Sequence, residues 1–182
     1  SPLARAEWMR YLGRLWGVGE RADSLFSVVE KEYRATAGLG GEGDDTPTVL
    51  FDTLYGSIWY QPSPASTIGQ MVSDAGGRLP FRSDQRGGSL SLSVEQVLAA
   101  ARDADVWVIR SNGTLTLDAL KALNPAYAQF RAFTNGNVYA VDTAVTPYYE
   151  ETPFRPDWLL ADLRQMLHPE LSTTLRYFKR LE

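Results

Sequence analysis

The side chains best suited to chemistry in this sequence are aromatic, and they follow short apolar runs. Tyr55, Trp59 and Tyr60 stand in a stretch punctuated by Gly56 and Pro62, directly after Val49-Leu50-Phe51. Arg110 and Ser111 end a second run, Val106-Trp107-Val108-Ile109, and Tyr148-Tyr149 follow a third segment, Asn137 to Val141. Such groups bind rather than react: ring faces with a few placed polar atoms suit a large, flat or partly apolar ligand. The competing reading is that the rings pack the domain's own core, as Trp and Tyr often do. Three aromatics on one expected loop favour a binding surface. For Tyr148 and Tyr149 both readings stand, and Arg110 is either an anion contact or a member of a surface ion pair.

Other chemistries are excluded more firmly. The chain has no cysteine and one histidine, His168, which removes disulfides, thiolate nucleophiles and multi-histidine metal sites. There is no G-x-S-x-G elbow and no nucleophile beside a base. The carboxylate neighbours Glu150-Glu151 and Asp103/Asp105 read as solvated loop charge. Gly38 to Gly43 spells G-x-G-x-x-G, but it follows a helix and precedes a strand, the reverse of what a dinucleotide loop needs, and Asp44 and Asp45 would repel phosphate. It reads as a surface loop. A formal charge of -4 on 182 residues, with no basic stripe, excludes a nucleic-acid surface. No apolar run approaches a membrane span.

The elements that must position these residues alternate. A first helix carries the stripe Trp8, Tyr11, Leu12, Leu15 and Trp16, and a second, Glu20 to Ala35, buries Ala22, Leu25, Phe26, Val29 and Tyr33. Thr67, with Gln70 closing a capping box, opens a helix presenting Ile68, Met71, Val72 and Ala75. Arg78 to Ser91 reads as a long loop with room for one short strand, in which Arg82 and Arg86 are solvated or overhang the site. Ser93 and Gln96 form a second capping box, with Val94, Val97, Leu98 and Ala101 facing inward. Thr116 caps a helix with Leu117, Leu120 and Leu123, and Pro156 opens a last helix with Leu159, Leu160, Leu163, Met166 and Leu167 inward. Continuous apolar runs between helices predict an α/β fold with a mostly parallel sheet covered on both faces, whose ligand edge is the carboxyl end of its strands. Ser1-Pro2 reads as a helix cap, so a folded part upstream is expected.

In this order the pieces resemble the second half of the extracytoplasmic substrate-binding proteins of ABC importers for iron complexes and vitamin B12. SPLARAEWMRYLGRLWG is similar to the inter-lobe helix, and TVLFDTLYGSIWYQPSPASTIGQMVSDAGG to the C-terminal lobe's first strand, ligand loop and helix. SVEQVLAAARDADVWVI, FRAFTNGNVYAVD and RPDWLLADLRQMLHPEL are similar to the segments that follow. The resemblance implies a Rossmann-like lobe at 38–182, preceded by the inter-lobe helix and the helix after it at 1–37, with the N-terminal lobe absent from the chain. It implies that Tyr55, Trp59, Tyr60, Arg110, Ser111, Tyr148 and Tyr149 face a siderophore, haem or cobalamin carried as cargo, with no intrinsic cofactor and no catalytic residue. Glu95, in a family-like S-x-E-Q-V-L-A segment, would dock an arginine of the membrane permease. The implied location is periplasmic or extracytoplasmic, with an upstream lipid anchor compatible with it. An α/β enzyme or a stand-alone interaction module with an aromatic-lined cleft is the alternative.

Overall fold

The computed structural model describes residues 1–37, 46–84 and 87–182; Gly38 to Gly43, Asp44, Asp45 and Arg86 lie outside the described residues. Strands β1 (Val49–Phe51), β5 (Val106–Ser111) and β6 (Val138–Asp142) form one sheet, closed by β7 (Lys179–Arg180). The order is β1-β5-β6-β7, with the first three strands parallel and β7 antiparallel to β6. The expected parallel α/β architecture is therefore present. A second, antiparallel sheet joins β2 (Leu54–Tyr55), β3 (Ile58–Pro62) and β4 (Ser89–Leu92). Around them lie helices α1 (Pro2–Ala6), α2 (Trp8–Leu15), α3 (Gly19–Thr36), α4 (Thr67–Asp74), α5 (Val94–Ala101), α6 (Leu117–Leu123), α7 (Arg131–Thr134), α8 (Tyr148–Glu151) and α9 (Pro156–Leu167).

The parallel strands separate two apolar cores because successive side chains point to opposite faces. Val49, Phe51, Val106, Val108, Tyr139 and Val141 pack with α3, α4 and α9. Leu50, Trp107, Ile109, Val138 and Ala140 pack with α5, α6 and the Pro125–Gln129 3-10 turn. With both faces covered, the strands need no polar alternation, which is why they read as unbroken apolar runs. At the amino edge, the Asp105 carboxylate accepts hydrogen bonds from Thr48 N (2.8 Å) and Thr48 Oγ1 (2.9 Å), which aligns β1 with β5.

Several helix starts follow the expected logic. Ser93 and Gln96 make a reciprocal capping box, and Thr116 Oγ1 accepts from Ala119 N. The α4 cap is Ser66 rather than Thr67: its hydroxyl accepts from Gly69 N. One residue earlier is favoured because Gly69 must sit against the Ser63 and Pro64 carbonyl oxygens, where a Cβ would collide. Leu25 is exposed, not buried; the inward stripe of α3 is Ala22, Phe26, Val29 and Tyr33.

The N-terminal helix is broken at Glu7 into α1 and α2. α2 packs on α3 through small residues, since a Cβ on Gly13 would overlap the Ala22 methyl. This close approach turns Trp8, Tyr11, Leu15 and Trp16 outward, and Trp16 keeps 74% of its surface exposed.

The largest correction concerns Trp59. The stretch expected to be an aromatic loop is a hairpin: Tyr55 pairs with Ile58 across Gly56-Ser57, with Gly56 at φ 62. Two-residue hairpin loops need such a residue. Alternation along β3 then sends Trp59 and Gln61 inward and Ile58 and Tyr60 outward. Trp59 is 0% exposed and packs on Trp107, Tyr127 and Phe130 at ring-centroid distances of 5.7, 5.4 and 5.5 Å. Its Nε1 donates to Phe51 O at 2.8 Å. It is a core residue, not part of an open groove.

The C-terminal tail is held by a buried carboxylate. Asp162 on α9 accepts from the backbone N–H of Arg176 (2.8 Å), Tyr177 (2.7 Å) and Phe178 (3.4 Å), and both rings are buried. Outside it, Trp158 is stacked between the guanidiniums of Arg155 and Arg176, each 3.4 Å from the ring centroid. Asp162→Ala leaves those N–H groups without their acceptor and is expected to cost about 3 kcal/mol in denaturant unfolding. Trp59→Ala empties a buried aromatic site and is expected to cost roughly 3–5 kcal/mol by the same measurement.

Candidate functional site

The carboxyl edge of the sheet is organised by a residue the sequence reading passed over. Asp52 follows β1 with φ 50, a left-handed conformation that non-glycine residues seldom adopt. Its N–H donates to Val108 O (2.8 Å), and its carbonyl accepts Trp107 Nε1 (2.7 Å). Turned this way, the Asp52 carboxylate receives three donors of Arg110. Oδ1 takes the backbone N–H at 3.1 Å and Nε at 3.0 Å, and Oδ2 takes Nη2. The pair is partly buried, with side-chain exposures of 30% for Arg110 and 21% for Asp52. Burial works against the guanidinium charge, but the hydrogen bond and charge of Asp52 outweigh it, so the pKa of Arg110 is raised. An Arg held at two points by one carboxylate has a fixed orientation. The available signal was an acidic residue at the last position before the chain leaves the strand, one β-strand away from an Arg at the equivalent place.

Beside this pair lies a cleft of about 180 Å³, lined by Arg110, Tyr148 and Tyr149 together with Arg5, Ile68 and Met71, among others. It sits where β5 ends, where α8 and α9 begin and where α4 presents its first turn. Complete small-molecule pockets run to roughly 300–1,000 Å³, so this one has the size of a single wall. A larger open hollow of about 680 Å³ runs along α1 and α2, with Trp8, Tyr11 and Arg14 on its floor. The smaller cleft is the better ligand candidate because it sits at the strand ends and gathers Arg110, Tyr148 and Tyr149.

The structure thus unites three of the expected site residues and disperses the rest. Tyr149 is exposed; Tyr148 is only 4% exposed, with its ring against Tyr149, Tyr177 and Phe178. The segment expected to be a loop at Tyr148 is the short helix α8, which tucks Tyr148 into the core while its edge reaches the cleft. Tyr55, 81% exposed, and Tyr60 lie on the outer side of the small sheet and do not line the cleft. Ser111 is absent from the lining as well. Its Oγ lies 2.8 Å from Gly113 O and 3.1 Å from Val141 O, so its proton is taken by the protein's own backbone. Arg82 is exposed and outside the cleft lining. Arg5, Ile68 and Met71 were not expected here; only the packing of α1 against α4 brings the first helix to the sheet edge.

Glu95 lies elsewhere, exposed in the first turn of α5, a helix that packs on the sheet face opposite α4. The Ser93 hydroxyl and its own backbone N–H hold its carboxyl below the usual range. Among the described residues it has no ion-pair partner.

Comparison with known proteins agrees with the fold. Two uncharacterized lipoproteins of Methanocaldococcus jannaschii are 28% and 24% identical to the chain, over 93% and 99% of its length. The chain spans only 40% and 47% of those relatives. A TroA-like periplasmic binding protein from Veillonella parvula superposes with a TM-score of 0.72 at 13% identity, covering 100% of this chain and 62% of that one. A periplasmic haem-binding protein from Pseudomonas aeruginosa gives 0.68 at 19% identity, covering 100% and 66%. At such identities these two likenesses speak for the fold alone. The sequence itself matches the periplasmic binding protein family over residues 3–145, well over half its length, and the chain belongs to that family.

Proposed function

We propose that this chain is the C-terminal ligand-binding lobe of an ABC importer's substrate-binding protein, which captures an iron complex, haem or cobalamin between two lobes and delivers it to a membrane permease. Residues 1–37 serve as the inter-lobe segment and 38–182 as the lobe. The observation that carries this reading is the half-sized cleft at the carboxyl edge of a parallel sheet, where Arg110, Tyr148 and Tyr149 converge. A wall of that size needs a facing wall, and the outward aromatic stripe of α2 is apolar surface of the kind partners cover. Similarity to haem-binding periplasmic proteins supports the cargo class, and the lipoprotein relatives support an extracytoplasmic, lipid-anchored setting.

Two experiments test it. Tyr149 is exposed on the cleft wall and packs only edge-on against Tyr148. In the full-length protein, Tyr149→Ala is expected to weaken cargo binding about tenfold while unfolding free energy stays within about 0.5 kcal/mol. Unchanged affinity removes Tyr149 from the contact surface. Glu95, exposed and remote from the cleft, is the candidate permease contact. Glu95→Ala should leave cargo affinity intact and lower uptake by the reconstituted importer, with Glu95→Arg worse because it sets like charges against each other. Unchanged uptake in both variants excludes this role.

A further inference from the structure

The chain has four asparagines, Asn112, Asn124, Asn135 and Asn137, and the fold treats them differently. Asparagine is thermolabile because its side-chain amide carbon is open to attack by the backbone nitrogen of the next residue. Asn124 precedes Pro125, which has no N–H to give up, and its Oδ1 accepts from Ala126 N at 2.9 Å. Asn137 precedes the buried, β-branched Val138, and its Oδ1 accepts from Arg180 Nη2 at 3.1 Å. Asn135 precedes Gly136 but caps α7 at φ -89, ψ 0, which sets Gly136 N beside Asn135 N and away from the Asn135 side chain. Arg180 also holds the carbonyl oxygens of Asn135 and Gly136. Asn112 differs on each count. It is exposed in the bend after β5, makes no side-chain hydrogen bond among the described residues and precedes Gly113. Gly113 sits at φ 115 with open space where a Cβ would be, so nothing crowds the approach of its nitrogen. Its N–H already donates to Asp142 Oδ1 at 2.9 Å, the reach at which a carboxylate can take a proton.

We propose that Asn112 is a site of spontaneous deamidation, with Gly113 N as the nucleophile and the Asp142 carboxylate as the general base. Asp142 takes the Gly113 N–H proton as that nitrogen bonds to Asn112 Cγ. The Cγ–Nδ2 bond then breaks, and the proton held by Asp142 leaves with the side-chain nitrogen as ammonia. The product is a succinimide ring spanning residues 112 and 113. Water opens it at Cγ to give aspartate, or at the main-chain carbonyl to give isoaspartate, whose backbone runs through the former side chain. The reaction is independent of what the cleft carries, so it stands apart from the substrate-binding reading. Its consequence falls on the carboxyl edge of the sheet. Ser111 pairs with Asp142 across β5 and β6, and Ser111 O accepts from Thr143 N and Thr143 Oγ1, both at 2.8 Å. These bonds fasten the chain on one side of Asn112, and the bond from Gly113 N to Asp142 fastens it on the other. An isoaspartate adds a main-chain atom between the two fastenings, and either product sets a new negative charge near Asp142. Both changes loosen the turn that follows Arg110 and Ser111.

Incubation of the folded chain at neutral to mildly alkaline pH tests this, read by tryptic mass mapping and by isoaspartyl methyltransferase labelling. The expected result is conversion in the peptide from Ser111 to Lys121 and none at Asn124, Asn135 or Asn137, with a melting temperature that falls as conversion proceeds. Asn112→Gln, at an exposed position without internal partners, should stop both the conversion and the fall, because its longer side chain has to close a larger ring. Asp142→Asn keeps an oxygen for the Gly113 N–H but cannot take its proton, and should convert Asn112 severalfold more slowly. Where melting shows that this variant does not fold, Asp142→Ser, whose hydroxyl can still accept from Ala144 N, replaces it with the same expectation. Asn112 left intact, or Asn135 converting at the same rate, overturns the site. Conversion at the parent rate in a folded Asp142 variant overturns the role of Asp142 as base.

Discussion

The carboxyl edge of this domain depends on how β1 ends. Asp52 turns into the left-handed region, and that turn lets one residue close three connections: its N–H to β5, its carbonyl to the Trp107 indole and its carboxylate to Arg110. The preceding residue is equally committed. Phe51 O accepts from Trp59 Nε1 and Gln61 Nε2, and Phe51 N donates to Gln61 Oε1 at 3.1 Å. The strain of a non-glycine residue at positive φ costs of order 1–3 kcal/mol and persists only where the surroundings over-determine it. Here they do: two indoles and an amide bond the backbone of Phe51 and Asp52, and a guanidinium holds the Asp52 carboxylate.

That convergence explains how one edge serves two cores. The indoles of Trp59 and Trp107 anchor the small antiparallel sheet to the main one inside the core shared with α5 and α6, with Tyr127 and Phe130 filling the remaining contacts. On the other face, Tyr148 seals the end of the α9 core against Tyr177 and Phe178 and also lines the cleft. The cleft wall thus includes two residues fixed by their surroundings, Tyr148 by packing and Arg110 by Asp52. Rotamers locked in this way present polar atoms at little entropic cost on binding, which is what a receptor surface needs.

The N-terminal helices follow a different logic. Gly13 and Ala22 bring α2 and α3 into close contact with little side-chain volume between them, and the large aromatics are displaced to the outside. α3 itself packs against one face of the main sheet through Tyr33, whose hydroxyl donates to Asp74 on α4 at 2.5 Å. Arg5 shows the consequence for the site: a residue more than a hundred positions from Arg110 in sequence shares its cleft because α1 lies along α4.

Much of the fold was legible in the sequence because it rests on local rules. The unbroken apolar runs at Val49, Val106 and Val138 are what strands covered on both faces must look like, and Ser93 with Gln96 can satisfy a helix start without help from elsewhere. The family pattern depends on the order of these same pieces. The site was legible only as a location. Arg110, Tyr148 and Tyr149 follow from the rule that ligands meet strands at their carboxyl ends, but Trp59, Tyr55, Tyr60 and Ser111 obey the same rule and are turned elsewhere. A one-residue change of phase in β3 exchanges core and surface, and that phase was set by a Gly56-Ser57 hairpin whose alternating strand was masked by its aromatic content. Asp52 and Arg5 lay outside any local rule. Whether a carboxylate finds a guanidinium, or a helix finds a sheet edge, is decided by contacts between segments far apart in the chain, and only the tertiary structure supplies them.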